Sequence, residues 1–162
     1  MTNPICLLTL IAALGSGLMA GIFFSFSNFV MKALERVPSA QGIASMQSIN
    51  VVVLNRWFFA VFFGTAACCL ALAIIAVVHW QRPGAGCLLL GCFLYLVSAI
   101  LVTIACNVPL NDVLAAVDPS KADAVPIWTN YLKIWTAWNH VRTVASLAAA
   151  ALFTVAFCRA SS

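Results

Sequence analysis

Ten polar side chains stand in or beside the long apolar stretches of this chain: Asn28, Asn50, Asn55, Arg56, Asn107, Asn111, Asp112, Asn139, His140 and Arg142. Polar groups at membrane depth are costly and face a bundle interior or a water-filled cavity. Their types suggest particular chemistry. Arg142 carries a guanidinium whose fixed donors can clamp an anion or an enolate oxygen. It can equally pair with a carboxylate and pin a loop, and Asp112 is the nearest carboxylate by topology. His140 titrates near neutrality and can act as a general base. It can also sit neutral, satisfied by Thr136 or a backbone carbonyl. The asparagines can hydrogen-bond between helices, each worth about 0.6–2 kcal/mol in a membrane. Arg56 can join the site or snorkel to the interface. A metal site from Cys106, Asp112 and His140 is a further arrangement, and it needs those three side chains together.

The composition excludes several classes. The chain is 64% hydrophobic and 7% charged, with a mean hydropathy of +1.07. A soluble domain is about half apolar and about a quarter charged. The net charge of +4 is spread thinly, so nucleic-acid binding, which needs clustered Lys and Arg, is not expected. The seven cysteines form no C-x-x-C pair and read as small buried hydrophobes. His79 and His140 fall at opposite ends of the expected bundle, which argues against bis-histidine haem ligation within one chain. There is no P-loop, no Gly-rich dinucleotide motif and no metal cluster. No cofactor is therefore expected.

The elements that must position these residues are four apolar helices, expected at about 5–31, 51–80, 85–106 and 127–158 in one membrane domain, 1–162. Each is long enough for a hydrocarbon core of about 30 Å. The predicted fold is an all-α, integral membrane, antiparallel four-helix bundle, since open sheet cannot face lipid. Ser39 to Asn50 is expected as a short interfacial helix. Arg82, Pro83 and Gly84 form a tight turn, and Asn107 to Pro126 a long loop. The first stretch has no positive leader and too long an apolar run for a signal peptide, so it reads as a retained helix. Alternating crossings bring all ten polar residues to one end. Lys32, Arg36, Arg56, Lys121 and Lys133 lie at that end against Arg82 and Arg159 at the other, which favours the long connections in the cytoplasm. The expected location is a plasma or inner membrane.

Helix four is the most informative. At about 100° per residue, Trp128, Tyr131, Trp135, Trp138, Asn139, Arg142 and Ser146 share one broad face, with His140 at its margin. Aromatics at this spacing favour the membrane–water interface. Gly17 and Gly21, and Ala145 and Ala149, have small-x-x-x-small spacing. Packing within the bundle is the expected use, with a homo-oligomer as the other.

Four stretches carry a family resemblance: GIFFSFSNFVMKAL (Gly21 to Leu34), MQSINVVVLNRWF (Met46 to Phe58), CNVPLND (Cys106 to Asp112) and YLKIWTAWNHVRTVASL (Tyr131 to Leu147). In these motifs and their order the chain resembles the anthrone-oxygenase-like family of small four-helix membrane proteins. The resemblance implies a membrane-embedded pocket and, by the family's named activity, oxidation of an anthrone to an anthraquinone with molecular oxygen. By motif position it carries over Asn107, Asn111, Asp112, Asn139, His140 and Arg142 as catalytic residues. His140 would be the base. Arg142 and the asparagines would stabilise the enolate oxygen. Trp135 and Trp138 would line an aromatic slot, with Asn28, Asn50, Asn55 and Arg56 supporting it. The expected partners are the lipid bilayer and a small hydrophobic aromatic ligand, with oxygen as co-substrate. The rival reading is a non-enzymatic membrane protein that holds a lipid, quinone, solute or partner in the same pocket.

Overall fold

The computed structural model describes residues 4–161. Among them the chain is helical throughout, in five helices: α1 Pro4–Arg36, α2 Ser39–Val52, α3 Arg56–Val78, α4 Ala85–Ala115 and α5 Ala124–Ser161. All but α2 are long and apolar enough to cross a membrane. Their outer faces present large aliphatics such as Leu14, Ile74 and Leu147, which are 65%, 66% and 61% exposed. Apolar exposure on this scale is unfavourable in water and suits a hydrocarbon solvent. The fold is a helical membrane bundle, as expected.

The helices alternate in direction. Gly17 and Phe23 of α1 meet Ala150 and Asn139 of α5. Gly91 and Asn107 of α4 meet Phe153 and Trp135 of α5. In α3, Thr65 lies against Gly15, and the Phe62 carbonyl accepts the Tyr95 hydroxyl at 3.0 Å. Met19, Phe23, Phe62, Leu72, Tyr95 and Phe153 form the central core. A second core at the α2 end gathers Met31, Ile43, Met46, Leu114, Trp128, Tyr131 and Trp135. Of the small-residue pairs, Gly17 faces Ala150 inside the bundle, and Gly21 faces open space.

Several helix limits differ from expectation, each for a local reason. α1 runs five residues past 31, because Met31–Arg36 is a run of good helix formers. It stops where Pro38 drives Val37 into extended geometry, φ −88° and ψ 162°. The connection expected between residue 31 and the short helix at Ser39 therefore shrinks to a two-residue break before α2. α3 begins at Arg56 rather than 51, because Asn55 caps it. The Asn55 Oδ1 accepts from the Trp57 and Phe58 amides at 3.0 and 3.1 Å.

α4 continues through Pro109, where a loop was expected. Proline lacks an N–H and clashes with the carbonyl four residues earlier. Here a wide π-helical turn, Thr103–Asn107, precedes it and absorbs that conflict. Two further π turns occupy Phe26–Val30 and Leu96–Leu101. α5 begins at Ala124, with Pro126 in its first turn, where amides have no helical partner.

α2 is tied down from two sides. The Gln47 side-chain amide donates to the Leu114 and Val117 carbonyls at 2.8 and 2.9 Å. A Cβ on Gly42 would lie 2.8 Å from the Leu34 carbonyl oxygen and 2.9 Å from the Trp128 ring. Backbone cannot yield there, so Gly42→Ala should lower stability by about 1–3 kcal/mol. Gly64 meets nothing within 4 Å. Gly64→Ala should be neutral or stabilise by about 0.5–1 kcal/mol. Thermal unfolding in detergent measures both, and equal effects would contradict this seating of α2.

Candidate functional site

Arg142, near the middle of α5, is only 5% exposed. Its Nη2 donates to the Asn139 Oδ1 at 2.7 Å, and its Nη1 donates to the Thr103 Oγ1 at 3.1 Å. The guanidinium lies between two rings, 4.4 Å from the Phe23 centroid and 5.1 Å from that of Trp135. Such cation–π contacts strengthen when desolvated. Its Nε has no protein partner.

Spacings of three and four in α5 put Asn139, Arg142 and Thr143 on one face. Asn139, fully buried, is held from α1: its Nδ2 donates to the Phe23 carbonyl at 2.7 Å and to the Ser27 Oγ at 2.8 Å. Ser27 also meets the Thr143 hydroxyl at 3.1 Å, and that hydroxyl donates back to the Asn139 carbonyl at 2.8 Å. Two of the π turns hold members of this network, Ser27 and Thr103. Wide turns of this kind recur at functional sites.

One turn further out, the Asn111 Oδ1 accepts both the Tyr131 hydroxyl at 2.8 Å and the Trp135 Nε1 at 2.9 Å. Trp128, Tyr131 and Trp135 stack in series at 5.7 and 6.0 Å between centroids, and Phe26 leans on Trp135 at 5.6 Å. Phe26 and Trp135 of this series face a cavity of about 320 Å³. Phe23, Phe26, Met46, Phe58 and Trp135 supply apolar surface. Asn50, Thr103, Asn111, Asp112, Asn139 and Arg142 supply the polar groups. A mostly apolar cavity with a few convergent polar groups is the usual form of a small-molecule site. It can hold a flat aromatic body and direct an oxygen to Arg142, with the Asp112 carboxylate on the wall.

A family model described as anthrone oxygenase matches residues 56–152. The chain belongs to this family. No curated protein and no solved structure matches it. In this anthrone oxygenase family member the matched stretch carries α3, α4 and most of α5, and so Thr103, Asn107, Asn111, Asp112, Trp135, Asn139 and Arg142. The facing wall, with Phe23, Phe26 and Met46, comes from α1 and α2 before it.

The expected site residues divide. Asn50, Asn111, Asp112, Trp135, Asn139 and Arg142 line one cavity. Asn107 is buried behind it, donating to the Trp135 carbonyl at 3.2 Å, with its Oδ1 unpartnered. His140 is displaced from the expected site. One residue past Asn139, it is turned by about 100° and lines a different groove, with Lys32 and Lys133. Trp138 is 38% exposed and is likewise off the cavity wall. Asn28 points outward, and its neighbour Ser27 makes the contact to α5. Asn55 serves as the α3 cap. Arg56 is exposed over the Trp57 ring at 5.0 Å.

The Arg142 guanidinium hydrogen-bonds to Thr103 and Asn139, not to Asp112. Trp128, Tyr131 and Trp135 are buried within the bundle. Cys106, Asp112 and His140 are not gathered, and no three His, Cys, Asp or Glu side chains among the described residues could jointly hold a metal ion.

Ser27, Thr103 and Thr143 were not anticipated. Thr103 stands four residues before Asn107, and Thr143 four after Asn139, so same-face spacing marks both. Asn139→Leu leaves a buried guanidinium short of its best acceptor and should destabilise the protein by about 1.5–3 kcal/mol. Thr103→Val, at a longer neutral contact, should destabilise by less. Denaturant unfolding in detergent ranks the two, and the reverse order would contradict the geometry.

Proposed function

We propose that this membrane protein oxidises an anthrone, or a similar small aromatic ketone with an acidic methylene, using molecular oxygen without a further cofactor. The observation that carries the reading is Arg142: a buried guanidinium with an unpartnered Nε, on the wall of an aromatic-lined cavity. Membership of the family supports the substrate class.

In this reading the ring system lies against Trp135, Phe26 and Phe58, and its oxygen meets the Arg142 donors. Asp112 takes one methylene proton, as carboxylate bases do in enolisation. Negative charge then moves onto the oxygen, where preorganised donors stabilise it. Asn139 acts by holding the guanidinium in place. The carbanion passes one electron to O₂, and the resulting radical and superoxide join in a C–O bond. The peroxide regains the proton from Asp112. Loss of the second methylene proton with O–O cleavage leaves a carbonyl and water. One anthrone and one O₂ thus give one anthraquinone and one H₂O.

The protein is proposed to reside in a plasma or inner membrane with the α2 end towards the cytoplasm. Lys32, Arg36, Arg56, Lys121 and Lys133 at that end outnumber Arg82 and Arg159 at the other.

Oxygen uptake by purified protein with an anthrone tests the chemistry. Arg142→Gln and Asp112→Asn should each lower the rate by about 10²-fold or more. His140→Ala should retain the wild-type rate. An Asp112→Asn rate equal to wild type would remove Asp112 as the base. Ligand binding without turnover in the wild type would favour a non-enzymatic carrier.

A further inference from the structure

A second groove, of about 520 Å³, lies between α1, the start of α2 and the outer part of α5. It is separate from the aromatic cavity and borders His140. Lys32 of α1 and Lys133 of α5 both line it, with the hydroxyl residues Ser39, Thr129 and Thr136. Glu35 is its single carboxylate, and neither lysine makes an ion pair among the described residues. The fold thus brings two cations from different helices to one groove against a single carboxylate. The excess positive charge favours a bound anion.

The surroundings identify the anion. The groove sits at the end of the bundle where Lys and Arg predominate, the end expected to face the anionic cytoplasmic leaflet. On α5 the stripe that carries Lys133 and His140 continues at spacings of four and seven into Val144 and Leu147, which are 68% and 61% exposed. A charged pocket opening onto an apolar track suits an anionic amphiphile rather than a free anion. We propose that this groove binds the phosphodiester headgroup of an anionic membrane lipid at Lys32 and Lys133, with an acyl chain along Val144 and Leu147.

The proposal is independent of any activity in the aromatic cavity. Native mass spectrometry of the detergent-purified protein tests it, with short-chain phosphatidylglycerol and phosphatidylcholine of equal chain length as probes. The wild type should retain phosphatidylglycerol with a preference of about tenfold or more. Lys32→Gln with Lys133→Gln should abolish that preference, and the exposed single change Lys133→Gln should reduce it. Glu35→Gln should strengthen it. Arg82→Gln with Arg159→Gln removes as much charge from the other end and should leave it intact. Inorganic phosphate at millimolar concentration should not displace the lipid. Equal retention of the two lipids, loss of preference only in the Arg82 and Arg159 variant, or full displacement by phosphate would each overturn the assignment.

Discussion

The burial of Arg142 is the constraint on which the rest of the site depends. A guanidinium deep in an apolar bundle is tolerable only if its donors are met. Asn139 meets it from within α5 and Thr103 from α4, and Phe23 of α1 and Trp135 of α5 cover its faces. Asn139 is in turn held by Phe23 and Ser27. Three helices are thus positioned around one cation, and one of its three nitrogens, Nε, has no protein partner. An apolar bundle has no packing need for such an arrangement, whereas a site for a developing negative charge does.

The same constraint accounts for the irregular backbone. The π turns at Phe26–Val30 and Thr103–Asn107 lie in the two helices that supply partners to α5. The second also lets α4 pass Pro109 and carry Asn111 and Asp112 onward as a helix rather than a loop. α2 then closes the cavity from the side, tied to the end of α4 and its connection by Gln47 and seated on Trp128 by Gly42. The cavity therefore has a rigid aromatic floor and an apolar rim that includes exposed Val51 and Leu54.

Much of this was legible in the sequence. Four apolar segments of membrane length, a short helix after Pro38 and a polar end brought together by alternation follow from hydropathy and topology alone. The pairing of Asn139 and Arg142 on one face followed from helical spacing. What was not legible depended on rotation and on local backbone. His140 and Trp138 flank Asn139 in sequence, yet a turn of about 100° per residue sends neighbours to different sides. Asn55 and Arg56 read as site residues when hydropathy alone sets the start of α3 at 51, whereas the Asn55 cap begins the helix at Arg56. Asn28 lost its role to Ser27 inside a π turn, which no periodicity rule anticipates. The continuation of α4 through Pro109 was hidden for the same reason.

If Asp112 and Arg142 together generate a carbanion in this cavity, as proposed, that step can be measured without oxygen. Anaerobic exchange of the anthrone methylene protons in D₂O, followed by NMR, isolates proton abstraction from everything that comes after it. If the cavity acts as described, wild-type protein accelerates deuterium incorporation well above empty detergent micelles. Exchange at the background rate, in protein that still consumes oxygen when air is admitted, would contradict it.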